Sequence, residues 1–134
     1  MKIKSLIVLL AICLSACTGS KYAGVPNQYQ ELISQTMQTA GSNAKELKKA
    51  LKQAPTTQRE AMAFLIAYMP ERDAKALTAN FLLENVDYAY KARAEFPWAK
   101  EVPNDIFLND VVAYVNLNEK RENWRKDFYE RFKK

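Results

Sequence analysis

The chain has 134 residues, room for one domain, and 49% of them are apolar, an ordinary share for a globular protein. Three glycines stand against plentiful Ala, Leu, Glu and Lys, a balance that favours helices over a turn-rich β fold. There is no histidine and the formal charge is +5: the first excludes a Ser-His or Cys-His mechanism, which needs an imidazole base, and the second is too mild and dispersed to argue for nucleic acid.

In chain order, Met1-Lys2-Ile3-Lys4 is a short positive segment, Leu6 to Leu14 is uncharged and apolar, and Ser15 and Ala16 are small. This is the layout of a secretory signal peptide, too short for a membrane span of roughly 20 apolar residues. Leu14-Ser15-Ala16-Cys17 resembles the lipobox of bacterial lipoproteins, in which the cysteine thiol receives a diacylglycerol and the chain is cut just before it. The resemblance implies a signal peptide over 1–16, lipid attachment at Cys17, and a lipidated cysteine and tether over 17–27, with Gly19, Ser20, Gly24 and Pro26. The alternative is a non-lipidated signal peptide cleaved nearby. Two or three acyl chains hold a protein stably where one does not. No aspartate follows Cys17, which by analogy with Gram-negative sorting points to the outer rather than the inner membrane of the cell envelope. Removing Lys2 and Lys4 leaves 18 basic and 15 acidic side chains, or +3. Cys13 and Cys17 are the two cysteines, so the domain after them has no internal disulfide.

Residues 28–134 read as a helical domain, an all-α, small irregular bundle of about five helices. Gln28 to Thr39 carries Tyr29, Leu32, Ile33 and Met37 at near-helical spacing, and Gly41 closes it. Asn43 and Glu46 fit an N-cap and its capping partner; Ala44, Leu47, Ala50, Leu51 and Ala54 form the stripe that follows, and Pro55 stops it. Lys45, Lys48, Lys49 and Lys52 lie off that stripe and read as a solvated face, with an anionic lipid surface as the sharper alternative. Thr57 and Glu60 repeat the capping pattern ahead of the apolar run Ala61 to Met69, which Pro70 ends. That run is apolar on every side and is expected to be buried on most of them, with Met62 and Met69 as core filler. Thr78 to Phe96 is the longest helix and a central one, its charged edge reduced to Glu84, Asp87 and Lys91. Pro97-Trp98 breaks it, and Pro103-Asn104-Asp105 starts a further helix carrying Ile106, Phe107, Val111 and Tyr114. Asn116 to Asn118 reads as a turn. Trp124, Phe128 and Phe132 then fall at i, i+4 and i+8 of a last helix running to Lys134 without a stop signal.

Zinc needs several Cys or His ligands, and the sequence does not supply them. A Gly-rich phosphate loop and an EF-hand spacing are also missing. The reading is therefore no metal, no cofactor and no catalytic residues. Glu84 with Asp87, and Asp105 with Asn109, share helix faces, but fifteen acidic residues produce such pairs by chance. Trp98 and Tyr114 could line a sugar cleft, though packing aromatics are commoner. Trp98, Tyr114, Trp124, Phe128 and Phe132 are the interface candidates.

From Pro70 onward the motifs take a familiar order. Met69-Pro70-Glu71-Arg72-Asp73 comes first, then Phe81-Leu82-Leu83-Glu84-Asn85-Val86-Asp87-Tyr88-Ala89-Tyr90-Lys91-Ala92-Arg93 and Pro97-Trp98. Val102-Pro103, Ile106-Phe107-Leu108-Asn109-Asp110-Val111, Asn118-Glu119 and Asn123-Trp124-Arg125 complete it. Over roughly residues 57 to 132, this resembles the N-terminal helical region of bacterial transglutaminase-like superfamily proteins, many of them lipoproteins. In that family the helices precede a papain-like core with a Cys-His-Asp triad. None of the triad has a counterpart here, and Ala113 stands where a proline is expected before Tyr114. What the resemblance implies is architecture and a docking or substrate-positioning role.

Two readings follow. In the first, the chain is a membrane-anchored, non-catalytic module, a truncated or split product whose partner is a transglutaminase-like catalytic core. In the second, it is a self-standing envelope lipoprotein binding a peptide, a glycan or another envelope protein. An autonomous enzyme is the third and weakest.

Overall fold

The computed structural model describes residues 20–115 and 119–133. The expected all-α bundle is what folds. Five helices of nine residues or more carry it: α1 (Asn27–Ala40), α2 (Ala44–Gln53), α3 (Arg59–Ala67), α5 (Ala79–Glu95) and α8 (Trp124–Phe132). Three shorter turns punctuate them: α4 (Glu71–Ala74), α6 (Pro97–Lys100) and α7 (Asn104–Ile106). There is no strand among the described residues.

Helices α1, α2, α3 and α5 bury the apolar positions their sequences mark. α1 turns Tyr29, Ile33, Met37 and Ala40 inward and ends at Gly41, whose φ of 56° is open to glycine and costly for other residues. α2 buries Leu47, Ala50 and Leu51. α3 buries six of its nine residues, Phe64 is half-buried, and Met62 and Met69 lie in the core. The run's apolar character fails at Tyr68, which is 61% exposed. Ile33, Leu47, Met62, Ile66, Leu82, Val86, Phe107 and Val112 make the fully buried centre, each worth about 1.5–3 kcal/mol of transfer free energy. α1 packs on α3, and α5 packs against α2, α3, α6 and α8. α5 is thus the central helix its composition suggested, and Asp87 and Lys91, four residues apart, form an ion pair along it at 2.7 Å.

Both capping patterns resolve differently from their local reading. Asn43 precedes α2 but makes no cap bond. Its Nδ2 donates instead to the Ala74 and Leu77 carbonyls, each at 2.9 Å. Glu46 Oε2 accepts from the Ala79 backbone N–H at 2.9 Å, joining Thr78 Oγ1, which accepts from Phe81 N at 3.2 Å. The pair read as capping α2 therefore braces the α4–α5 connection and the start of α5. The first-turn donors of α5 are orphans that any nearby acceptor satisfies. After Pro55, Thr57 lies in a 3₁₀ turn, Thr56–Gln58, and α3 starts without a side-chain cap.

Two further differences lie at the ends. The expected helix after Pro103 begins as α7 and widens into a π-helical turn over Phe107–Val111, closed by Val112 N donating to Phe107 O at 2.8 Å. Ile106 is 47% exposed here, while Phe107, Leu108, Val112 and Tyr114 lie in the core. Residues 20–26 of the expected tether are packed on the body. Val25 is buried, and Gln30 holds Tyr22 and Val25 through four contacts of 2.7–3.0 Å that include Ser20. A side-chain amide offers two donors and an acceptor, enough to satisfy that irregular backbone. The expected signal segment over 1–16, Cys17 and the Asn116–Asn118 turn lie outside the described residues.

Candidate functional site

α8 has no buried residue, so burial does not hold it. Polar side chains do. Arg125 donates to Asn85 Oδ1 at 2.6 Å, to the Ala113 carbonyl at 2.5 Å and to the Val111 carbonyl. Asn85 is itself buried and donates to Val112 O at 2.7 Å. One guanidinium thereby ties α8 to α5 and to the chain leaving the π turn. Burial pushes the Arg125 guanidinium down to about 10, well above neutrality, so it stays a cation neutralised by carbonyl and amide dipoles. One turn on, the Tyr129 ring lies 5.3 Å from Tyr88 and its hydroxyl donates to Glu95. Trp124 Nε1 donates to Tyr114 O at 3.1 Å.

Ahead of α8 the same segment is pinned by Asp73, which is 2% exposed. Arg121 reaches it in a two-pronged pair, Nε to Oδ1 at 2.9 Å and Nη2 to Oδ2 at 3.0 Å. The Tyr114 hydroxyl donates to Oδ2 at 3.0 Å. Such a fork is the strong form of an arginine–carboxylate pair. Burial first, then the Asp73 charge, holds the Tyr114 phenol well above its ordinary range. The Arg121 guanidinium is held up by its hydrogen bond to Asp73.

With its inner face fixed, α8 presents an outer face. Phe128 is 53% and Phe132 59% exposed, while Trp124 is half-buried. Their rings follow one another at 5.8 Å, edge-on between Trp124 and Phe128 and tilted between Phe128 and Phe132. At the base of this ladder, Trp124 and Phe128 line an open groove of about 500 Å³ with Glu119, Lys120 and Glu122. The other candidates separate from it. Trp98 is 68% exposed on α6, stacked on Phe96 at 6.1 Å, and does not line that groove. Tyr114 is not a surface at all: at 5% exposure it is core, its ring edge-on to Phe81 at 5.9 Å. Five polar groups within this network (Asp73, Asn85, Tyr114, Arg121, Arg125) escape a sequence reading, because their partners lie 10 to 48 residues away.

Of the paired carboxylates, Asp87 is taken by Lys91. Glu84 shares a shallow depression with it and keeps one buried oxygen without a partner. Asn109 turns to the Asp105 backbone carbonyl at 2.8 Å. Among the described residues no group of three or more His, Cys, Asp or Glu could hold a metal ion. No described helix is long and apolar enough to cross a membrane.

Compared with known proteins, the chain matches no family model, no curated protein and no solved structure. The likeness to transglutaminase-like proteins rests on the sequence motifs alone.

Proposed function

We propose that this chain is a non-catalytic docking module, tied to the bacterial cell envelope by lipid on Cys17, that offers the outer face of α8 to a papain-like, transglutaminase-type catalytic core. The observation that carries the docking reading is the aromatic ladder. Phe128 and Phe132 stand more than half exposed on a helix whose inner face is locked by Arg125 and Tyr129. Exposed aromatics on a rigid mount are the groups that anchor protein interfaces. The choice of partner is supported by the order of motifs from Met69 to Arg125. The absence of histidine supports a module that borrows its chemistry. The anchor is supported by the Leu14-Ser15-Ala16-Cys17 spacing after a charged and then apolar leader.

Three measurements test this. The DNA downstream of the reading frame is expected to encode a Cys, His and Asp core; unrelated sequence there removes the named partner. Co-expressed with that product, the chain is expected to co-elute with it, and Phe128→Glu with Phe132→Glu to abolish co-elution while the circular dichroism spectrum is kept. Mass spectrometry of the chain from a Gram-negative host is expected to find cleavage before Cys17 and an added diacylglycerol. An unmodified chain refutes the anchor and leaves the docking face standing.

A further inference from the structure

A second site lies away from α8, where the start of the described chain meets α2 and the first residue of α3. Lys21, Lys48, Lys52 and Arg59 converge there on one cleft of about 370 Å³, whose apolar wall includes Tyr22 and Leu51. No carboxylate lines it, and none of the four cations is in an ion pair among the described residues. This is unusual in a chain with 15 acidic side chains, because like charges gathered without a counter-ion repel one another.

Arg59 shows that the cleft is built as well as charged. Its Nη2 donates to the Ala54 carbonyl at 3.2 Å, which fixes the guanidinium plane. Its Nε is buried and has no acceptor, and a buried N–H without a partner is costly. The group lies against Gly24, where φ is 72° and any Cβ would overlap the guanidinium. Glycine therefore both makes that turn and lets the cation approach the backbone. Lys21 is steadied by Ser34 Oγ at 3.3 Å. Lys48 and Lys52 stand one helical turn apart and exposed at the rim.

We infer that this cleft is a binding site for a phosphate-bearing anion. A phosphate's oxygens suit a fixed guanidinium flanked by mobile ammonium groups. The apolar wall accommodates an organic substituent on it. The same chemistry is offered by free phosphate and by the headgroup of an anionic phospholipid. The latter would fit a membrane near residue 17, since four residues span at most about 14 Å. The inference is independent of the α8 docking face.

The full chain, in dodecyl maltoside, is titrated separately with inorganic phosphate, dihexanoyl phosphatidic acid and dihexanoyl phosphatidylcholine while backbone amide shifts are followed. Saturable shifts confined to the segments around Lys21, Lys48 to Lys52 and Arg59 are expected with phosphate or phosphatidic acid. They are expected to weaken as salt rises. Phosphatidic acid binding well above inorganic phosphate assigns the site to a headgroup; equal binding assigns it to free phosphate. Lys48→Ala with Lys52→Ala, both exposed and so harmless to the fold, is expected to weaken binding about tenfold or more. Lys45→Ala with Lys49→Ala removes the same charge from the same helix outside the cleft, and is expected to change it less than about twofold. No saturable shift with either anion, equal loss in the two double variants, or phosphatidylcholine binding as tightly as phosphatidic acid would overturn the inference.

Discussion

Replacing Asp73 by alanine tests whether the C-terminal segment is held as described. Asp73 is the shared acceptor of Tyr114 and Arg121, and it sits on α4, more than 40 residues before either. Its removal leaves the Tyr114 hydroxyl inside the core without an acceptor, which costs about 1–3 kcal/mol. The lost carboxylate packing of a 2%-exposed side chain brings the total for Asp73→Ala to about 2–4 kcal/mol. The Arg121 guanidinium regains water and is left out of that sum. For a domain of this size about 4 °C of Tm accompanies each kcal/mol, so a fall of at least about 8 °C is expected in thermal unfolding followed by circular dichroism. In a Tyr114→Phe background the same substitution is expected to cost about 1 kcal/mol less, since the orphaned hydroxyl is gone. A Tm within about 3 °C of the parent, or strictly additive effects of the two substitutions, would refute the clamp.

Three other outcomes follow from the same geometry. The Tyr114 phenol is held above its ordinary value of 10 by burial and the Asp73 charge. It stays neutral in the folded chain after the unfolded chain has ionised, so its contribution is complete below about pH 10 and lost as pH rises further; urea midpoints across that window are expected to fall more steeply in the parent than in Tyr114→Phe. Arg125→Ala leaves Asn85 Oδ1 and two carbonyls without their donor, with an expected loss of about 2–3 kcal/mol and faster amide exchange in α8 than in α1 or α3. Asn43 separates two readings: a helix cap tolerates Asn43→Asp, whereas a donor facing the Ala74 and Leu77 carbonyls does not, so Asn43→Asp is expected to destabilise at least as much as Asn43→Ala, about 1–2 kcal/mol, by urea denaturation.

What could be read in the sequence was what depends on neighbours three and four residues apart. The stripes of α1, α2, α5 and α8, the stops at Gly41, Pro55 and Pro70, and the Asp87–Lys91 pair all follow from helical period and local backbone chemistry. So does the aromatic ladder, because Trp124, Phe128 and Phe132 share a face of any helix that contains them. The polar network was not readable, since a hydrogen bond carries no period. Nothing local distinguishes buried Asp73 from exposed Glu71 two residues earlier, or the clamping Arg125 from its solvated neighbour Lys126. Tyr114 shows the limit from the other side: an aromatic after a helix can face either way, and here it faces in, with its hydroxyl on buried Asp73. The cationic cleft is likewise a product of tertiary packing. Lys48 and Lys52 had their spacing in the sequence, but Lys21 and Arg59 reach them because Gln30 folds the leading segment onto α1 and Gly24 admits the guanidinium. Local sterics and burial patterns belong to the chain's own order of residues; which charges meet depends on how the helices pack, and that is set by the whole core at once.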